Sequence, residues 1–237
     1  PGKPEQLLHP DRKLRPLLEI VVERHRGAGR RGEMGRRFGV ETVFVDGTDM
    51  AQWQRALAQP AACVLLETPS NPTLEVIDLP AVATLAHKAG ARVIVDNVFA
   101  TPLLQKPLAL GADIVVYSTT KHIDGQGRCL GGAVLADAAF VREKLVPFLR
   151  HTGPAMSPFN AWVDLKGLET LELRVSRHVQ NAQAVAEFLE RQAGVARVLY
   201  PGLTSHPQHD LARRQMSGAG SVLAFTVRGG KAAAFRL

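Results

Sequence analysis

Residues 62–96, ACVLLETPSNPTLEVIDLPAVATLAHKAGARVIVD, decide the fold. ACVLLET is a short, unbroken apolar run and reads as a buried strand, with PSNP after it as a turn. DLPAVATLAHKAG carries helical periodicity and ends at Gly90, and RVIVD is again a continuous apolar strand. Strand, helix, strand in so few residues is a crossover unit, which joins parallel neighbours.

The same rhythm extends in both directions. Upstream, ETVFVD reads as a strand and DMAQWQRALAQ as a helix with Asp49 as its cap. Downstream, NVFATPLLQKPLALG leads to the strand DIVVYS, a glycine-rich loop and the strand CLGGAVLAD. Strands that alternate with helices and read as apolar runs predict an α/β fold with a mostly parallel sheet covered on both faces. Beyond Asp137 the pattern turns helical, through AAFVREKLVPFLR and a long stretch from Pro158 to Gln192 broken mildly at Gly167. VARVLYP, the His-rich turn GLTSHPQHD and the strand SVLAFTVRG then open a second, smaller α/β unit, in which GGKAAAFRL begins a helix. The expected division is an atypical basic segment over 1–37, a large domain over 38–150, connecting helices over 151–192 and the start of a small domain over 193–237.

The chain has 237 residues, 46% of them hydrophobic and 22% charged, enough apolar content to bury a sizeable core. It contains no apolar run of membrane-spanning length, and its first residues lack the layout of a secretory signal, so a cytoplasmic protein without a membrane partner is expected. Cys63 and Cys129 are too few for a disulfide framework and too isolated for a zinc site; no metal is expected. The net charge of +7 is concentrated: residues 1–37 hold ten Lys and Arg against five Asp and Glu. That basic run has no interleaved aromatics, so it reads as solvated charge and not as a nucleic-acid surface.

Chemistry gathers at VYSTTKHIDGQGR, residues 116–128. Asp96 ends one predicted strand, Lys121 follows the end of another, and Asn71 lies in the turn after a third. In a parallel sheet all three face the crevice at the carboxyl ends of the strands. A lysine there can bond an aldehyde cofactor, and a carboxylate across the crevice can keep a pyridine nitrogen protonated, the pair that pyridoxal phosphate requires. In an extended segment Ser118 and Thr120 point to one side and can both donate to one phosphate, while Thr119 faces away. Gly125 and Gly127 allow tight backbone nearby. A Walker-type phosphate loop is excluded, because here the lysine precedes the glycines.

From about Phe38 onward the chain resembles the Cys/Met-metabolism family of pyridoxal-phosphate enzymes. The resemblance is carried above all by ETPSNPTLEVIDLP, RVIVDNVFATPLLQKPLALGADIVVYSTTKHIDGQGR and CLGG, in order and in spacing. Within the family, DNVFATPLLQKPL and TKHIDGQGR are most like the O-succinylhomoserine sulfhydrylase branch. The resemblance implies the aspartate-aminotransferase-like fold type I and pyridoxal 5'-phosphate as cofactor. It gives Lys121 as the Schiff-base lysine, Asp96 as partner of the ring nitrogen, Ser118 and Thr120 as phosphate ligands, and Asn71 beside the ring hydroxyl and substrate carboxylate. His122, Glu67 and Trp53 are read as structural.

The implied reaction is γ-replacement: O-succinylhomoserine and sulfide give homocysteine and succinate, a step of methionine biosynthesis. Cystathionine γ-synthase or γ-lyase chemistry is the alternative, and an inactive truncated product is the second. The resemblance also implies a small-molecule substrate and homo-oligomers, dimers paired into tetramers with shared sites. Family chains extend beyond this one at both ends, and residues 1–37 carry no Phe, Tyr or Trp to supply the family's stacking ring or phosphate-gripping tyrosine. A fragment with impaired activity is therefore expected.

Overall fold

The computed structural model describes residues 17–22 and 37–236. Six strands form one sheet: β1 (Leu17–Val22), β2 (Val40–Val45), β3 (Cys63–Glu67), β4 (Arg92–Asp96), β5 (Ile114–Ser118) and β6 (Gly132–Ala136), in the spatial order β2-β1-β3-β4-β5-β6. All neighbours are parallel except β5 and β6, which pair antiparallel. This is the mostly parallel α/β sheet that the sequence predicts. The exception to the expected layout is β1: LLEIVV, inside the basic segment set apart above, lies between β2 and β3 and is part of the sheet.

Helix α1 (Met50–Ala56) starts where expected, with the Asp49 carboxylate accepting the Ala51 and Gln52 amides at 2.9 and 3.2 Å. Helix α2 (Leu79–Lys88) is capped by Asp78, which accepts the Ala81 amide at 3.1 Å, and Gly90 follows its end at φ 74°. The two helices cover one face of the sheet. Val64, Leu66, Val93, Val95, Val115 and Tyr117 point to that face and pack with Trp53 of α1 and with Leu79, Val82, Ala83 and Ala86 of α2. Each buried Val or Leu among them contributes about 1.5–3 kcal/mol by leaving water. Trp53 is wholly buried and its indole donates to the Gly47 carbonyl at 3.0 Å, a structural role as expected.

The other face of the sheet is less deeply buried. Strands β3 and β4 bury alternate residues, and Leu65, Glu67, Ile94, Asp96, Val116 and Ser118 on the other face are only half-buried among the described residues. A sheet strand alternates its side chains, so this half-buried face is the one that carries Glu67, Asp96 and Ser118.

After β4 come the short α3 (Thr101–Leu104) and, past β6, helical turns at Ala138–Phe140 and Val141–Leu145 that run into α4 (Val146–Thr152). The long helical stretch is two helices, α5 (Pro158–Glu169) and α6 (Leu171–Glu190), and they part at Thr170 and not at Gly167. Gly167 stays helical and serves contact: a Cβ there would stand 2.2 Å from the Ile123 carbonyl oxygen. The small unit pairs β7 (Val195–Leu199) with β8 (Ala224–Val227), antiparallel, followed by α8 (Gly230–Ala234), while α7 (His209–Gln215) precedes β8. Tyr200, Val198 and Leu203 pack with Ala182 and Ala186 of α6. Burial pushes the Tyr200 phenol up to about 12, and its hydroxyl donates to the Gly220 carbonyl.

His206 supplies a pH dependence. The residue is 4% exposed and its Nδ1 accepts the Gln208 amide at 3.2 Å. Burial first, then Arg197, pushes its pKa down to about 4, against a backbone hydrogen bond to Leu74 that raises it. The unfolded chain, with the ordinary value of about 6.5, binds more protons between these two limits. Stability from neutral His206 is therefore complete above about pH 6.5 and is lost as the pH falls toward 4. Thermal melts across that window are expected to fall with acidification, and His206→Gln is expected to flatten the slope.

Candidate active site

The carboxyl ends of three parallel strands converge. In register, Glu67 at the end of β3 stands beside Asp96 at the end of β4, and Asp96 stands beside Val116, two residues before Ser118. Asp96 is half-buried and its Oδ1 accepts the Val98 amide at 3.1 Å, which fixes the carboxylate over its own strand end. Glu67 accepts the Asn71 amide at 3.2 Å and so ties down the turn that presents Asn71 at the surface.

Beyond Ser118 the chain does not stay extended. Residues Thr119–Ile123 form a single wide helical turn, so strand alternation does not decide which hydroxyls point together. Thr119 is buried, with its hydroxyl beside Gly131. Ser118 and Thr120 are both half-buried at the start of the turn. The Thr120 hydroxyl oxygen accepts the Gly131 amide at 3.2 Å, an arrangement that leaves its O–H free to donate. Lys121 is exposed, and at its backbone (φ −85°, ψ −112°) the chain leaves helical values.

The turn is held from behind. Asp124 is 1% exposed and its carboxylate takes both the backbone amide and the Nε of Arg128, the latter at 2.7 Å. Burial raises its pKa, but the Arg128 bonds outweigh that and hold it below the usual carboxylate value. Gly125 and Gly127 take φ values of 77° and 65°, the left-handed backbone for which glycine is suited. His122 faces the His178 ring at 6.3 Å and lies 3.3 Å from the Ser221 hydroxyl; burial, then His178 and Arg174, lower its pKa.

The donor set matches what a phosphorylated pyridine aldehyde needs. The Lys121 ammonium, the Ser118 hydroxyl and the Asn71 amide side chain are uncommitted among the described residues, Thr120 keeps a proton to give, and a carboxylate stands across the strand ends.

Residues 32–237 match the model of the family described as Cys/Met metabolism PLP-dependent enzyme. The chain belongs to that family. Enzymes of that family depend on pyridoxal 5'-phosphate and act in Cys/Met metabolism. The chain is 59% identical over 191 residues to an O-succinylhomoserine sulfhydrylase of Mycobacterium tuberculosis, an alignment covering 81% of this chain and 47% of the relative. It superposes on a cystathionine gamma synthase from Xanthomonas oryzae pv. oryzae at a TM-score of 0.88 with 42% identity, over 92% of this chain and 57% of that one. A methionine gamma lyase from Micromonospora echinospora gives 0.87 and 39%, over 93% and 61%. The α/β fold type I is thus common to this chain and these Cys/Met-metabolism enzymes. The chain spans about half the length of the curated relatives it matches. Among the described residues no helix is long and apolar enough to cross a membrane.

Two features of the site are absent from the sequence reading. One is Arg174, which reaches the lysine turn from α6. The other is a buried amide network behind the strand ends, from Asn97 through Gln105 to Gln215. Neither has a local sequence signal: Arg174 meets the lysine turn 52 residues away and Gln215 meets Gln105 110 residues away, and Asn, Gln and Arg are ordinarily surface residues.

Proposed function

We propose that this chain carries the catalytic centre of a γ-replacement enzyme that takes O-succinylhomoserine and sulfide to homocysteine and succinate. The observation that carries the reading is the placement of an uncommitted Lys121 on a braced turn next to the strand end that bears Asp96. The similarity to O-succinylhomoserine sulfhydrylases supports the choice of acyl group and thiol donor.

In this reading Lys121 would hold the cofactor covalently, Ser118 and Thr120 would donate to its phosphate, and Asp96 would keep the ring nitrogen protonated. Asn71 orients the ring hydroxyl and the substrate carboxylate. The cofactor, when bound, supplies an electron sink for charge developing next to the substrate amine. Lys121 Nζ, once released, takes and returns protons at the α and β carbons of the substrate. Succinate leaves from the γ carbon and sulfide adds there. Assembly with further copies of the chain is part of the same proposal.

Borohydride treatment in the presence of pyridoxal phosphate, followed by peptide mass spectrometry, tests the site. The expected result is a pyridoxyl adduct on the Lys121 peptide, lost in Lys121→Ala; an adduct confined to other lysines would refute it. Product formation from O-succinylhomoserine with sulfide, compared with cysteine and with cystathionine as substrate, separates the sulfhydrylase from the cystathionine γ-synthase and γ-lyase alternatives.

A further inference from the structure

We infer that Arg174 is a positioning residue for Lys121: it holds the two carbonyls that follow the lysine and thereby fixes where the amine stands. This rests on the reading of Lys121 given above. From the first turn of α6 the guanidinium donates Nη1 to the His122 carbonyl at 2.8 Å and Nη2 to the Ile123 carbonyl at 3.1 Å. The same Nη2 reaches the Gly167 carbonyl of α5 at 2.6 Å, and Nε donates to the Thr170 hydroxyl at 3.1 Å. One planar group thus joins the lysine turn, the end of α5 and the start of α6.

The chemistry of these bonds points to geometry and not to charge pairing. The Asp124 carboxylate gives its oxygens to Arg128, and among the described residues the hydrogen bonds of the Arg174 guanidinium go to neutral oxygens. A rigid fork of five N–H groups suits divergent carbonyls in a way that a lysine ammonium does not. The surroundings are shaped for it. A Cβ on Gly125 would stand 2.1 Å from Nη1, and one on Gly167 would strike the Ile123 carbonyl. Glycine at both positions lets the guanidinium and the helix backbone approach the turn directly.

The site consequence follows from distance along the chain. The first clamped carbonyl belongs to the residue immediately after Lys121, and the Lys121 carbonyl itself accepts the Gly125 amide at 2.7 Å. The backbone from which the lysine side chain springs is therefore held on its C-terminal side by α6. An amine displaced by about 1 Å can lose on the order of a hundredfold in rate.

The test compares Arg174→Lys and Arg174→Gln with the unsubstituted chain. Two quantities are read: the rate at which borohydride fixes pyridoxal phosphate on the Lys121 peptide relative to the other lysine peptides of the same sample, and the thermal midpoint without cofactor. The expected result is a fall of about tenfold at Lys121 in Arg174→Lys and a larger one in Arg174→Gln, with the other lysines unchanged. Should Arg174→Gln not fold, Arg174→Lys, which keeps the charge and loses the fork, carries the comparison by itself. A folded variant with an unchanged Lys121 rate, or with all lysines slowed equally, makes Arg174 a structural brace only and overturns the inference. Absence of any Lys121 adduct in the unsubstituted chain is a different result: it removes the reading of Lys121 itself, and the inference with it.

Discussion

Asp96→Asn is expected to leave the fold and the attachment at Lys121 intact while lowering turnover by about 10²–10³-fold. The substitution isolates charge from shape. Asparagine has nearly the same volume, and its side-chain oxygen can still accept the Val98 amide that now binds Asp96 Oδ1 at 3.1 Å. What it cannot do is present a negative charge at the end of β4, so a ring nitrogen placed there loses the field that keeps it protonated. Only the electron-accepting capacity should fail, and borohydride should still label the Lys121 peptide. Turnover within threefold of the unsubstituted protein would show that Asp96 is a strand-end cap and not the ring's partner.

Gln105→Leu should cost about 3–5 kcal/mol of stability, read as a shift of the denaturant midpoint at unchanged slope. Gln105 is 1% exposed and sits at the middle of a closed polar network. Its Nε2 donates to the Thr68 carbonyl at 2.9 Å and to Asn97 Oδ1 at 2.8 Å, and its Oε1 accepts from Gln215 Nε2 at 2.9 Å. Asn97 in turn donates to the Thr101 and Gln105 carbonyls and to the Tyr117 hydroxyl. Gln215 brings in the far end of the chain, donating to the Ile77 carbonyl and accepting the Leu79 amide. Leucine fills the volume but strands two buried acceptors and one buried N–H, each without access to water. The network also joins α7 to the sheet, with Val76, Ala100, Ala212 and Met216 packed alongside, so the loss should be cooperative across both units. A change below about 1 kcal/mol would mean that water enters and replaces the amide.

The parts of the molecule that the sequence discloses are those whose signals are local. Buried parallel strands such as CVLLE and RVIVD read as apolar runs because nothing polar can be accommodated at their centres, and Asp49 and Asp78 announce helix starts because a cap acts within three residues. Placing Asp96 and Lys121 at one end of the sheet needs only strand direction, which the crossover pattern supplies. Features set by distant partners do not show. LLEIVV is masked by the surrounding basic residues, although as a strand it lies in the sheet interior. Gly167 looks like a helix breaker, yet it is small because Ile123 presses against it. Strand alternation would pair Ser118 with Thr120, and the turn that begins at Thr119 removes that premise while keeping both residues at the same strand end. The Gln105 and Gln215 amides are 110 positions apart and give no hint of each other.

The antiparallel pairing of β5 with β6 sets the mechanical character of the lysine segment. Residues 119–131 leave the sheet at Ser118 and return beside it at Gly132, and the Thr119 amide closes the neck on the Gly131 carbonyl at 3.0 Å. Asp96 has no such return: the chain beyond it crosses to another strand through α3. Lys121 is thus mounted on a tethered bight whose two feet share one footing, so added length near Gln126 should be absorbed at the tip, whereas loss of a residue at the neck would shift the lysine relative to the strand ends.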